Sequence, residues 1–324
     1  MRRLFTLITV ALALAAAARP AAKGRLLVLA SDKASVRSTP CTVSIYMTKA
    51  KASSQGMDIC DSLIFVVADG GTCTVYDYRS ATGKALATFD LGSKRAGNHS
   101  NCANFGLETA PGASFPALYV SVGKPGDQDE WNVHVESITR QDSTFKSRLI
   151  QTICMDQSQY AAHGLQPIWG CPNWVIDKER KALWAFSAIK RTTVAGTGEM
   201  STNRYIATKF RLPALSEGDT VKLTHADVLD QVSFPFDTYV TQGGTMRDGK
   251  IWYAYGFGKT GTLTPSRVRV YDTDSHQITA RYELESIINE ELEDISIYDG
   301  HILLNTNSSK IYELTDTFKK TSDK

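Results

Sequence analysis

The segment SSQGMDICDSLIFVVADGGTCTVYDYRSATGKALATFDL, from Ser53, reappears late in the chain as VTQGGTMRDGKIWYAYGFG, from Val240, continued by SRVRVYDTDSHQITARYEL, from Ser266. Both copies read Gln-Gly, a short polar link, an apolar strand, a loop, Val-Tyr-Asp, a turn and a last strand ending in Leu. A unit used twice marks a repeat architecture, in which one supersecondary element buries its apolar faces against copies of itself.

Three looser copies fit the same frame. NHSNCANFG leads into FPALYVSV and WNVHVESI, and GCPNWVIDKERKALWAFSAI leads into NRYIATKFRL. ELEDISIYDGHILLNTNSSKIYEL, from Glu291, closes the series as strand, Asp-Gly turn, strand, short turn, strand, which is an antiparallel meander. Equivalent apolar positions fall at Leu63, Leu118, Leu183, Ile251 and Ile302, at intervals of 55, 65, 68 and 51 residues. The stretch from Ile302 to the chain end, taken on from residue 23 to Leu63, adds about 62 more. Only Arg281 to Leu292 could make a turn or two of helix; elsewhere short Val, Ile, Tyr, Phe and Thr runs alternate with Gly, Asp, Asn and Ser. The expected fold is therefore all-β, a β-propeller of five blades, with six as the alternative. Its ring closes where the N-terminal strands RLLVLA (from Arg25) and TVSIYM (from Thr42) join the C-terminal blade.

These repeats resemble those of secreted bacterial β-propeller proteins, in which a four-stranded blade carries an Asp-Gly inner hairpin and a Val-Tyr-Asp third strand. The resemblance spans nearly all of residues 23 to 316, is architectural, and points to no particular family. Some propellers are hydrolases or lactonases with a metal in the channel, or glycosidases, and the resemblance implies such chemistry as an alternative.

The first twenty-two residues place Arg2 and Arg3 before an apolar run that dissolves into alanines, the pattern of a secretory signal peptide. We therefore expect a signal peptide at 1–22, one propeller domain at 23–316 and a polar tail at 317–324, in a secreted or periplasmic monomer without a membrane span. Lys plus Arg (36) nearly cancel Asp plus Glu (34), which gives no basis for a nucleic-acid partner. The six cysteines (41, 60, 73, 102, 154 and 171) have no CxxC spacing; in an exported chain they are either up to three disulfides or buried thiols.

In a propeller the loop entering each blade's first strand reaches the mouth of the central channel, the default pocket. Those loops deliver Gln55 and Asp58; His99, Asn101 and Asn104; Gln166, Cys171 and Asn173; Thr241 and Gln242; Glu291 and Glu293. Trp169 and Trp174 flank the third loop as stacking faces. We take Gln55, Asp58, His99, Asn101, Asn104, Asn173, Trp174, Gln242 and Glu293 as candidate ligand-binding residues, because amides donate and accept in fixed directions and suit sugar hydroxyls or peptide groups. The plainer alternative is that these side chains satisfy backbone groups of their own turns and strands.

No catalytic residue or cofactor is assigned. Asn101, Asn173, Asp58 and Glu293 have the oxygen chemistry of a Ca²⁺ site, and His99 with His163 offers a weaker zinc reading. Asp58, Asp61 or Asp69 with Glu291 or Glu293 are the carboxylate pairs a glycosidase would use, although Asp69 precedes a glycine and suits a turn. No GxSxG frame is present. The expected function is binding of a small polar ligand, a glycan or a peptide, at the channel mouth without turnover. The alternatives are a metal-assisted hydrolase or lactonase, a carboxylate-based glycosidase, or a scaffold using its outer faces.

Overall fold

The computed structural model describes residues 26–28, 38–51, 54–123, 129–168, 171–188, 204–235, 241–258 and 265–316. The segments expected to be a signal peptide and a polar tail lie outside these, as does Trp169. The described residues form five sheets. Two strands, β1 (Leu26–Val28) and β2 (Cys41–Thr48), precede the first blade. Blade 1 is β3 (Ser54–Cys60), β4 (Leu63–Ala68), β5 (Thr72–Asp77) and β6 (Ala85–Asp90). Blade 2 is β7 (Ala103–Phe105), β8 (Leu118–Ser121), β9 (Asn132–Gln141) and β10 (Thr144–Met155). Blade 3 holds β11 (Asn173–Asp177), β12 (Ala182–Ala188), β13 (Arg204–Arg211) and β15 (Val228–Pro235), with β14 (Thr220–Leu223) crossing to pair parallel with β10. Blade 4 is β16 (Thr241–Arg247), β17 (Lys250–Tyr255), β18 (Arg267–Asp272) and β19 (Gln277–Glu283), and blade 5 is β20 (Leu292–Tyr298), β21 (His301–Thr306), β22 (Lys310–Asp316) and β2.

The chain is a five-bladed β-propeller. The inner strands β3, β7, β11, β16 and β20 each touch the next, and β20 touches β3, so the ring is closed. The five equivalent apolar positions found by self-comparison all fall in second strands: β4, β8, β12, β17 and β21. The longer intervals have local causes, the extended β9–β10 hairpin of blade 2 and the excursion through β14 between blades 2 and 3. The Asp-Gly hairpins also appear as read. Asp248 and Gly249 (φ 51° and 69°) and Asp299 and Gly300 (φ 49° and 79°) both take left-handed φ, as a two-residue type I′ turn requires.

Closure departs from expectation in one respect. TVSIYM does seal the ring, as β2 pairs antiparallel with β22 from Cys41↔Asp316 to Thr48↔Lys310. The RLLVLA strand does not join that blade: its residues Leu26 to Val28 run parallel to β15 on the outer edge of blade 3. Both blades 2 and 3 thus carry a parallel fifth strand over an edge that would otherwise be open. The helix considered at Arg281 to Leu292 is instead the end of β19 followed by a turn, and no helix among the described residues is long and apolar enough to cross a membrane.

Five apolar clusters fill the structure, one at each junction between neighbouring blades. Because every blade is covered on both faces, a strand such as LIFVVA is apolar throughout: Phe65 and Val67 face blade 2, while Ile64 and Val66 face blade 5. None of the six cysteines is in a disulfide; Cys73 and Cys102 are completely buried, and burial pushes their thiols well above the ordinary range.

At the axis, the inner strands have no ladder partner on their inner edge, and Gly56 and Gly243 leave no room there for a Cβ. Asp294 of β20 supplies what is missing. Its Oδ2 accepts from the N–H groups of Met57 (2.8 Å) in blade 1 and Ala103 (3.0 Å) in blade 2, and its Oδ1 from Ile295 (2.8 Å). Asp58 of β3 repeats the device, accepting from Phe105 N–H (2.6 Å), Ile59 N–H (2.8 Å) and the Ser296 hydroxyl (2.6 Å). Gly243 packs against Asp294, and a Cβ there would collide with its carboxylate.

Replacing Asp294 by Ala would strand three buried donors, each worth about 1–3 kcal/mol when left without an acceptor. Asp294→Ala is expected to lose at least about 3 kcal/mol by urea denaturation, and Asp294→Asn less; a change below about 1 kcal/mol would show that the axis does not depend on this carboxylate. Ring closure is tested by truncation. A chain beginning at Thr39 should keep one cooperative thermal transition by circular dichroism, whereas one beginning at Ser54 lacks β2 and should lose it.

Candidate functional site

The face on which the inner strands begin carries a circuit of side chains that passes through all five blades. Asn101, entering blade 2, donates through Nδ2 to Asn173 Oδ1 of blade 3 (2.8 Å). Asn173 donates in turn to the backbone carbonyl of Gln242 in blade 4. The Gln242 side chain donates to Glu291 Oε1 at the entry to blade 5 (2.7 Å), and Asn307 donates to the other oxygen of the same carboxylate (2.9 Å). From blade 5, Asn305 Nδ2 donates to the Gln55 carbonyl of blade 1 (2.6 Å). The circuit closes where Asp69, on the β4–β5 turn of blade 1, pairs with His99 Nδ1 of the blade 2 entry loop.

Local backbone geometry aims these groups. In blades 1, 4 and 5 the register slips by one residue at the same place, between Ser54 and Met57, Thr241 and Gly244, and Leu292 and Asp294. Gln55, Gln242 and Glu293 sit on these bulges, which free a side chain from the regular pleat and redirect it. In blade 2 the corresponding irregularity is Ser100, at φ 55°, stabilised by Asn98, whose Oδ1 accepts from the Ser100 N–H (3.1 Å) and hydroxyl (3.0 Å).

Lys49, which follows the closing strand, is 3% exposed. Its ammonium donates to Ser54 Oγ, to Asn305 Oδ1 (2.6 Å) and to the Thr306 carbonyl (3.0 Å), so all three of its hydrogens are used within the protein. Burial pushes its pKa down to about 7, against the attraction of Glu293. Glu293, 2% exposed, moves the opposite way: burial, then repulsion from Glu291 and Asp69, pushes it up to about 9 despite Lys49, so its carboxyl is protonated at neutral pH. Glu291 is also raised, by burial, against the donors Asn307 and Gln242.

Three buried oxygens on this face have no hydrogen-bond partner: Gln55 Oε1, Asn101 Oδ1 and Glu293 Oε2. They come from blades 1, 2 and 5, and their residues are 7%, 6% and 2% exposed. Buried polar atoms are almost always paired, so such a set marks a place where a partner belongs.

The structure thus brings Gln55, His99, Asn101, Asn173, Gln242 and Glu293 into one face and separates three other candidates from it. Asp58 and Asn104 lie deeper on the axis, where Asp58 holds backbone N–H groups and Asn104 Nδ2 donates to the Gly244 carbonyl (3.0 Å). Trp174 is completely buried between blades 2 and 3, against Phe210, and offers no stacking face at the mouth. Gln166 bonds to Gln231 instead of entering the ring. The zinc reading fails on placement, since His163 stacks on His225 at 3.7 Å while His99 pairs with Asp69. Among the described residues no three His, Cys, Asp or Glu side chains form a metal-ligating group.

Lys49, Asp69 and Asn305 were not among the candidate ligand-binding residues. Asp69 precedes Gly70 and reads as a turn residue, which it also is. Lys49 and Asn305 lie 256 positions apart, and no pattern in the repeats links them.

The chain matches no family model, and no curated protein matches it. Among solved structures it is similar to a glutaminyl cyclase from Myxococcus xanthus, with a TM-score of 0.47 and 12% identity over 86% of this chain and 97% of that one. It is also similar to the computationally designed Ika8 protein, with a TM-score of 0.34 and 8% identity over 83% of this chain and 98% of that one.

Proposed function

We propose that the protein is an exported β-propeller that binds a small polar ligand, a glycan or a peptide, at the mouth of its central channel without turnover. The observation that carries this reading is the set of three unpartnered buried oxygens, from Gln55, Asn101 and Glu293, within a hydrogen-bonded circuit of side chains. Side chains locked by their neighbours lose little freedom when a ligand arrives, which favours recognition. His99 and Gln242 stand beside them and complete the contact surface.

The reading is tested by equilibrium dialysis of the full chain against mixed oligosaccharides and short peptides, with bound species identified by mass spectrometry. His99→Ala and Gln242→Ala should each weaken retention of the bound species by about tenfold or more. The His99–Asp69 pair is exposed, so His99→Ala should cost under about 1 kcal/mol of stability. Unchanged retention in both variants would place the ligand elsewhere.

One observation favours a second reading, that of a hydrolase. A buried carboxyl pushed up to about 9 beside a second carboxyl is the arrangement of a general acid with its partner. Glu293 would be the acid and Glu291 the base or nucleophile, and turnover of any retained oligosaccharide, lost in Glu293→Gln, would establish it.

The protonation state itself has a stability signature. Glu293 binds its proton more tightly folded than unfolded, so its contribution to stability is full below the unfolded carboxylate range and declines as pH rises toward about 9. Glu293→Gln removes that decline. Its urea midpoint should match the wild type near pH 4 and exceed it increasingly toward pH 9; equal midpoints at every pH would mean that Glu293 is ionised and solvated in the folded protein.

A further inference from the structure

We propose that the channel mouth is selective for a cationic nitrogen head group rich in N–H donors, the guanidinium or ammonium of a basic peptide side chain, over neutral ligands of the same shape. This deepens the reading of the mouth as a binding site and rests on it. The three unpartnered buried atoms on this face, Gln55 Oε1, Asn101 Oδ1 and Glu293 Oε2, are oxygens. A sugar hydroxyl donates once, whereas a guanidinium presents five N–H donors in a plane and an ammonium three.

Charge agrees with this. The face carries three carboxyl groups, from Asp69, Glu291 and Glu293, against the Lys49 ammonium and the His99 imidazole. Lys49 has its three hydrogens committed to Ser54, Asn305 and Thr306, and His99 is held by Asp69, so neither is offered to an anionic ligand. Burial first, and then the repulsion of Glu291 and Asp69 with Asp294 adding to it from the axis, pushes the Glu293 carboxyl up. A bound cation would relieve that repulsion and release the proton. Beside the Asn289–Glu290 segment, which Gly258 packs against just before Glu291, Phe257 and Ile287 expose large apolar side chains, 43% each, suited to the methylene stem that carries such a head group.

The test is isothermal titration of the full chain with Nα-acetyl-argininamide and with Nα-acetyl-citrullinamide, which has the same shape and no charge; maltotriose serves as a neutral saccharide. The arginine probe should bind about tenfold or more tightly than the citrulline probe. Because a guanidinium stays charged throughout, its affinity should rise from pH 6 to pH 9, as Glu293 loses its proton and Lys49 its repelling charge. Glu293→Gln should flatten that rise, leaving only the part due to Lys49. Equal affinity for the two probes, or an arginine affinity independent of pH, overturns the proposal. If maltotriose binds, is lost in His99→Ala, and the arginine probe does not bind, the mouth is a site and the cation selectivity is wrong. If none of the three probes binds, the selectivity falls and the binding reading loses its support with it.

Discussion

The structure depends on two carboxylates at the axis. A propeller brings the first strands of its blades together edge-on, and those edges cannot pair with one another because they converge on a line. Backbone N–H groups there have neither water nor a ladder to satisfy them, and a buried donor without an acceptor is more costly than any single packing contact is favourable. Asp294 and Asp58 take up these donors, reaching from blades 5 and 1 into blade 2. Blade 2 needs this most, since its inner strand is only three residues long. The same requirement explains why the strands around them are small at contact points: Gly56 lies against Ser100 and Ala103, and Gly243 against Asp294 and Asn101.

Much of this architecture is legible in the chain, because repeats repeat their burial. Five apolar positions recur at blade spacing since each second strand is sandwiched between neighbours, and Asp-Gly recurs since the inner hairpin needs two left-handed residues. The parallel fifth strands are not legible, as Leu26–Val28 and Thr220–Leu223 have no counterpart among the repeats and are placed by the open edges they cover. The candidate site was legible in its members and less so in their depth. Asp58 and Asn104 each lie three residues beyond a mouth residue, which at ~3.3 Å per residue is roughly 10 Å down the channel. Trp174 follows Asn173, and strand alternation sends the one to the axis and the other into the blade 2–3 core.

The amides at the mouth have a double task that accounts for their abundance. Asn101 and Gln242 each use one end to bind a neighbouring blade, Asn173 and Glu291 respectively, while the other end of Asn101 remains unsatisfied. A carboxylate in the same position would repel its neighbours, and an aliphatic side chain would break the circuit. The electrostatics show the limit of this arrangement: a third carboxyl at Glu293 is accommodated only by keeping its proton.

Lys49 joins these themes. It follows β2, the strand that arrives last in space although early in sequence, and its ammonium is anchored on Asn305 and Thr306 near the other end of the chain. This face is therefore assembled from segments 256 positions apart in sequence. A polypeptide still emerging from the ribosome, with its final blade unfinished, has no Asn305 for Lys49 to meet and no Glu291 or Glu293 in the ring. This circuit is consequently withheld from any folding intermediate in which blade 5 has not yet joined blade 1.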